Sequence, residues 1–84
     1  MRHVRIFEVK FFGPTNTKGA RVGIYDLRND KRCVVLSYNY ATGNIVEQAR
    51  EWLESKGVQC EAVAETFNRK VYLMSDNFET QPER

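Results

Sequence analysis

One stretch of the sequence has the periodicity of an amphipathic helix, and it limits what the chain can fold into. In IVEQAREWLESKG, residues 45–57, apolar residues recur at helical spacing. They are Ile45, Ala49, Trp52 and Leu53. Asn44 precedes the stretch as a helix N-cap, and Gly57 is the left-handed residue that ends a helix. A single helix covers only one face of whatever the other segments form.

Five further segments alternate apolar and polar residues, which is typical of half-buried strands. They are residues 4–12, 20–27, 32–40, 58–67 and 71–75. Polar turns at residues 28–32 and 68–70 join neighbouring strands. The order β-β-β-α-β-β predicts an α+β fold, a single two-layer domain with a five-stranded antiparallel sheet and one helix on one face.

Eighty-four residues suffice for one domain, which we assign to residues 1–75. Residues 76–84 form a polar C-terminal tail that we expect to be mobile or loosely docked. The open sheet face keeps apolar and aromatic residues, so we expect a homodimer through it. The expected core consists of one apolar face of the last three strands together with Phe7, Val9, Phe11, Val22, Ile24, Trp52 and Leu53.

The charge of the chain is mildly basic and uneven. The net charge is +2, and residues 75–84 carry −2, which leaves +4 on the rest. That balance permits an anionic partner without demanding one. No stretch approaches the roughly 18 apolar residues of a membrane helix, and Arg2, Arg5 and Glu8 stand where a signal peptide needs an apolar core. We therefore expect a cytoplasmic protein that does not contact a membrane.

Residue types that carry catalysis are scarce. His3 is the only histidine, and it lies next to the N-terminus. Cys33 and Cys60 lie in strand-like runs and read as reduced core residues, although a disulfide between them stays open. They do not have the spacing of a zinc site. We expect no enzymatic activity, and we assign no catalytic, cofactor or metal-binding residue.

The loop GPTNTKG, residues 13–19, joins the first two strands and has a glycine at each end. It is not a P-loop, because Lys18 precedes the second glycine and a strand follows instead of a helix. In an antiparallel sheet this loop lies at the same end as the helix N-terminus and the turn at residues 68–70. Positive charge there favours phosphate or carboxylate oxygens. The candidate partner-binding residues are Thr15, Asn16, Thr17, Lys18, Arg21, Asn44, Arg69 and Lys70.

Charge alone does not select this end. The opposite end carries its own basic residues, which are Arg2, Arg5, Arg28, Lys31, Arg32 and Lys56.

The segments GPTNTKGARV, LSYNYATGNIVEQAREWLESKG and KVYLM resemble small proteins encoded by phages, plasmids and bacterial genomes. Those proteins have the loop Gly-Pro-Thr-Asn-Thr-Arg/Lys-Gly-Ser-Arg and a later strand that ends in Tyr-Asp-His-Ala before a helix. The resemblance covers residues 10–74 and implies a mobile-element protein that binds host nucleic acid or blocks a host complex. Ala20 replaces the usual serine here, and Asn39-Tyr40 replaces Asp-His, which removes the only plausible acid–base pair.

Two functions follow from these features. The first is a non-enzymatic module that contacts nucleic acid through the basic loop edge, with bases stacked on Tyr25, Tyr38, Tyr40 and Tyr72. The second is a protein-binding inhibitor or adaptor of a host complex, an anti-defence protein of the anti-CRISPR kind, that meets an acidic protein surface. The salt dependence of the affinity distinguishes the two functions, because contacts with phosphates release counterions and weaken as salt rises.

Overall fold

The structure, a computed structural model, describes residues 1–83 and has the predicted β-β-β-α-β-β order. Its elements are β1 (Arg5–Phe12), β2 (Arg21–Asp26), β3 (Lys31–Ser37), α1 (Ile45–Ser55), β4 (Ala62–Glu65) and β5 (Val71–Ser75). The strands form one antiparallel sheet in the order β3-β2-β1-β5-β4. The helix packs on the three central strands, β2, β1 and β5. The predicted α+β fold is confirmed.

The strand register decides which side chains face the helix. Val9 in the central strand pairs with Ile24 of β2 and with Val71 of β5. Val9, Ile24 and Val71 face the helix. Because side chains alternate along a strand, every second residue before and after them in their own strands faces the helix as well. The helix contributes Ala49 and Leu53, which are completely buried. The core that results comprises Phe7, Val9, Val22, Ile24, Val34, Ala49, Leu53, Val58, Val71 and Leu73.

Two residues of the predicted core lie at its margin. Phe11 is on the helix side of β1 but is 50% exposed, because β1 runs past Val71, the first residue of β5. Trp52 is only partly buried against the core, and the ammonium group of Lys56 lies 5.7 Å from its ring centroid. The prediction of a core position was therefore wrong for Phe11 and only partly right for Trp52.

The helix begins and ends at the residues that the sequence indicated. The Asn44 side-chain oxygen accepts hydrogen bonds from two helix amides at 2.9 and 3.3 Å. Gly57 has φ 90°, a left-handed conformation that favours glycine. The amide of Val58 then bonds to the carbonyl of Leu53 at 2.9 Å, as in a Schellman motif. This ending turns the chain so that Val58 enters the core.

Two strands are shorter than predicted. Alternation predicted a strand over residues 58–67, but only Ala62–Glu65 belongs to β4. Val58 is part of the Schellman motif that ends the helix, because its amide bonds to the Leu53 carbonyl. The third strand ends at Ser37, three residues early. There the Asn39 side-chain oxygen accepts hydrogen bonds from two amides further along the chain and begins a turn.

The C-terminal tail is docked on one end of the sheet. Pro82 is completely buried. The Arg5 guanidinium donates hydrogen bonds to the carbonyls of Asn77 and Thr80 at 3.2 and 2.8 Å. Residues 77–82 thus contact the sheet through these hydrogen bonds and Pro82, and the mobility of the tail stays a prediction. Residue 84 lies outside the described part of the chain.

An ion pair is buried beneath this tail. Arg5 Nη2 lies 2.7 Å from Asp26 Oδ2, and the two side chains are 1% and 0% exposed. The Asp26 carboxylate also accepts a hydrogen bond from the Asn29 side chain at 2.8 Å and from the Arg28 amide at 3.0 Å. Burial acts to raise the pKa of Asp26, but the hydrogen bonds and the charge of Arg5 outweigh it and lower that pKa.

Candidate functional site

Several connections meet at one end of the sheet, which we call the loop end. Phe12, the last residue of β1, pairs with Arg21, the first of β2. Arg21 in turn pairs with Ser37, the last residue of β3. The helix and β5 begin at this end as well. The loop end therefore comprises residues 13–19, 38–44 and 66–70.

The loop at residues 13–19 is ordered by its own hydrogen bonds. The Thr15 amide donates to the Lys18 carbonyl at 2.7 Å. The Thr15 hydroxyl oxygen accepts from the amides of Thr17 and Lys18 at 3.4 and 3.1 Å. These bonds close a tight turn of the kind that threonine favours. All four candidate residues of this loop, Thr15, Asn16, Thr17 and Lys18, are exposed.

Arg69 and Lys70 lie beside the end of β1. Thr66 holds their turn, because its carbonyl accepts from the Arg69 amide at 3.0 Å and its hydroxyl from the Lys70 amide at 3.1 Å. A groove of about 380 Å³ separates this turn from the strand end, and we call it the loop-end groove. The residues that line it include Lys10, Phe11, Phe12, Ile45, Arg69 and Lys70.

The cations of the loop end have no acidic partner within residues 1–83. The ion pairs in that range use other basic residues, which are Arg2, Arg5, Lys31 and Arg50. The groove is lined by three cations and one acid, Glu8, so its net charge is positive. Unpaired cations of this kind are free to form charge-assisted hydrogen bonds with an anion.

Three aromatic rings form a row at the same end, which we call the aromatic cluster. The rings of Phe11 and Tyr38 meet edge to face with centroids 5.5 Å apart. Those of Tyr38 and Tyr40 do the same at 4.7 Å. Phe11 is half exposed and Tyr40 is 72% exposed, whereas Tyr38 is partly buried. The cluster thus offers aromatic surface to solvent beside the groove that Phe11 also lines.

The Arg21 side chain lies on the open sheet face, which is the face away from the helix. Its guanidinium carbon lies 5.6 Å from the centroid of the Phe12 ring, and with Arg32 it lines a shallow cleft. The Lys10 ammonium lies over the Tyr25 ring on this face, 4.6 Å from its centroid. Arg21 therefore connects the loop end to the open face and does not line the groove.

The open sheet face mixes apolar and charged residues. Gly23 is buried at its centre, and a Cβ there would lie 2.8 Å from ring atoms of both Phe12 and Tyr25. Glycine at this position therefore lets the two rings lie close against the sheet. Tyr72 is half-buried on the same face. The homodimer expected through this face stays a prediction.

Two asparagines at the loop end hold the backbone in place. The Asn44 side-chain oxygen is committed to the helix amides, although the residue is exposed. Asn39 accepts from the amides of Ala41 and Thr42 at 3.0 and 3.3 Å and holds the turn before the helix. The side-chain oxygen of Asn44 caps the helix and is therefore not free for a partner.

The two thiols are free and partly buried. Burial, followed by the negative charge of Asp26, raises the pKa of Cys33. Burial, followed by the charge of Glu54, raises the pKa of Cys60 to about 11. Because the thiolate is the reactive form, neither cysteine is activated as a nucleophile.

We expect both thiols to be reduced and slow to react in the folded protein. At pH 8, a pKa of about 11 against the usual 9.0 makes the thiolate fraction of Cys60 about a hundredfold smaller. Titration with a thiol reagent should find both cysteines only after unfolding without reductant. Rapid reaction in the folded state would contradict the burial, and no thiol after unfolding would reveal a disulfide.

Sequence reasoning missed Lys10 and Phe11, which line the loop-end groove. Both lie in an alternating strand, where an apolar residue reads as core and a charged one as solvated surface. The signal that was present is the position of Phe11 two residues before Gly13-Pro14, at the very end of the strand. Phe11 is exposed because β1 continues for three residues beyond Val9, which pairs with the first residue of β5.

In comparisons with protein-family models, curated proteins and solved structures, nothing matches this chain. Within residues 1–83, no group of three or more His, Cys, Asp and Glu side chains is arranged to hold a metal ion. In the same range, no helix combines the length and apolar character needed to cross a membrane. The functional argument therefore rests on the geometry of the loop end.

Proposed function

We propose that the protein is a small non-enzymatic module, of phage or mobile-element type, that binds nucleic acid through its loop end in the bacterial cytoplasm. The observation that carries the proposal is a groove lined by three cations that lack an acidic partner within residues 1–83, next to exposed aromatic rings. Cations neutralise phosphates, and aromatic rings stack on bases.

The loop at residues 13–19 supports the same assignment. Its side chains supply hydroxyl, amide and ammonium groups, which are the groups that commonly contact phosphate and sugar oxygens. Because the loop is already closed by its own hydrogen bonds, little conformational entropy is lost when it meets a partner. An inhibitor that meets an acidic protein surface would use the same cations and bury the same rings, and the salt dependence of oligonucleotide binding distinguishes the two functions.

The test is a binding titration with three loop-end cations neutralised together, Lys18→Gln in the loop and Arg69→Gln and Lys70→Gln in the groove. Each cation that contacts a phosphate adds about 0.7 to the salt slope for single-stranded nucleic acid, so three should reduce that slope by roughly 2. At about 0.1 M salt this corresponds to an affinity loss on the order of a hundredfold. Fluorescence anisotropy with labelled oligonucleotides between about 50 and 200 mM salt measures both quantities.

The matched control removes the same charge from the opposite end, in Arg2→Gln, Lys31→Gln and Lys56→Gln, all of which are exposed. This variant should keep most of the wild-type affinity, because its cations lie far along the sheet from the groove. If the control loses as much affinity as the loop-end variant, binding depends only on net charge and the proposed site is wrong. If wild type binds no nucleic acid at about 50 mM salt, the proposed function is wrong.

A further inference from the structure

We infer that the loop end takes single-stranded nucleic acid, whose bases stack on the aromatic cluster of Phe11, Tyr38 and Tyr40. This inference rests on the proposed function and adds the class of ligand. In a duplex the base faces are occupied by neighbouring bases and are closed to protein rings. In a single strand they are free to stack on aromatic side chains. An exposed row of rings beside a cationic groove therefore suits a single strand.

The exposure of the rings is the first step of the argument. Phe11 and Tyr40 present half or more of their surface to solvent, so their rings are accessible to a ligand. Tyr38 lies between them and fixes both by edge-to-face contacts at 5.5 and 4.7 Å. The outer rings are thus held in place, and ordering them on a ligand costs little.

Charge is the second step. Phe11 belongs both to the cluster and to the loop-end groove, and so it places the rings next to Lys10, Arg69 and Lys70. These three cations have no acidic partner within residues 1–83. A strand laid along this end would bring its phosphates to the groove and its bases to the rings, as in other stacking platforms.

The positions of the rings make the inference testable without unfolding the protein. Neither Phe11 nor Tyr40 is part of the buried core. Tyr72 provides a matched aromatic control, because it is half-buried on the open sheet face and is not part of the aromatic cluster. Replacing Tyr72 therefore tests stacking on the opposite face of the sheet.

The experiment measures binding of oligothymidine and oligouridine of about ten nucleotides, and of a DNA duplex of equal length, to wild type and to variants. Tyr40→Leu and Phe11→Leu should each weaken single-strand binding about tenfold, within the range for loss of one stacked base. Their salt slope should stay at the wild-type value, since no cation is removed. Tyr40→Phe should bind like wild type, because it keeps the ring. Tyr72→Leu should bind like wild type as well.

The outcomes separate this inference from the proposed function. If the duplex binds better than either single strand, or if both leucine variants bind like wild type, the inference is overturned. The proposed function still stands in that case, provided that the loop-end glutamine variant loses affinity. If Tyr72→Leu loses as much affinity as Tyr40→Leu, the bases stack on the open sheet face and not on the aromatic cluster, and the inference is overturned. If no nucleic acid binds, both proposals fail together.

Discussion

Phe7→Ala should remove most of the stability of the domain. Phe7 is completely buried in the central strand, where it pairs with Asp26 of β2 and with Leu73 of β5. Truncation of a buried phenylalanine costs about 3–5 kcal/mol, because apolar contacts are lost and a cavity remains. A domain of this size has roughly 4–13 kcal/mol in total. Urea unfolding followed by Trp52 fluorescence should show a large fall in the midpoint, or no folded baseline at all.

Phe11→Ala is the matched control. It removes the same side chain from the same strand and the same side of the sheet, but from a position that is half exposed. The expected loss is about 1 kcal/mol, since much less apolar surface leaves water there. An equal loss at Phe7 and Phe11 would show that the core reaches the loop end. It would also disqualify Phe11→Leu as a probe of binding.

The sequence was sufficient for the element order and for the ends of the helix. Both are local properties, because alternation of period two and helical spacing can be read within about ten residues. Asn44 and Gly57 mark the helix ends through interactions that span no more than five residues. Strand lengths were less predictable, since pairing in β4 depends on how far its neighbour β5 extends.

Burial at the loop end could not be predicted from alternation. Alternation assigns Phe7 and Phe11 to the same side of β1, and the register confirms this. Only the strand order shows that β1 lies beside β5, and only the register shows that β5 begins opposite Val9. Phe11 therefore extends beyond its neighbour and becomes a candidate ligand contact.

The candidate site was predicted in outline by topology. An antiparallel sheet requires the loop at residues 13–19 and the turn at residues 66–70 to lie at one end, and the structure has them there. The direction of each side chain was a separate question. Arg21 points to the open sheet face because its place in the β2 register puts it opposite Phe12. Alternation with the core residues Val22 and Ile24 already placed Arg21 on the other face of β2, but the sequence analysis assigned it to the site from its position at the end of the strand.

The buried ion pair is the feature that sequence reasoning missed most completely. A charged residue near a strand start reads as surface, and so Arg5 was counted among the basic residues of the opposite end. Its partner Asp26 lies 21 positions away, and the carbonyls that complete its hydrogen bonds lie in the tail. A contact between such distant positions depends on the whole fold, and no local pattern indicates it.

Asp26→Ala should therefore destabilise the domain by about 3–5 kcal/mol, because it leaves the Arg5 guanidinium buried without a counter-charge. It also removes the acceptor for the Asn29 side chain and the Arg28 amide at the turn. Urea unfolding at pH 7 measures the loss. Asp76→Ala is the control, since Asp76 is exposed, and it should change stability by less than about 1 kcal/mol. Arg5→Met with Asp26→Leu should be less destabilised than Asp26→Ala, because no unpaired charge remains.

The pH dependence of the same pair gives a second readout. The pKa of Asp26 is lower in the folded protein than its usual value of 3.8. A carboxylate of this kind contributes fully to stability above its unfolded-state pKa, and the contribution is lost as the pH falls through the lower folded-state pKa. The free energy of unfolding of wild type should therefore fall below about pH 4 more steeply than that of Asp26→Asn, which has no carboxyl group to protonate. Parallel curves for the two proteins from pH 7 to pH 2 would mean that the hydrogen bonds of the Asp26 carboxylate and the charge of Arg5 do not lower its pKa on folding.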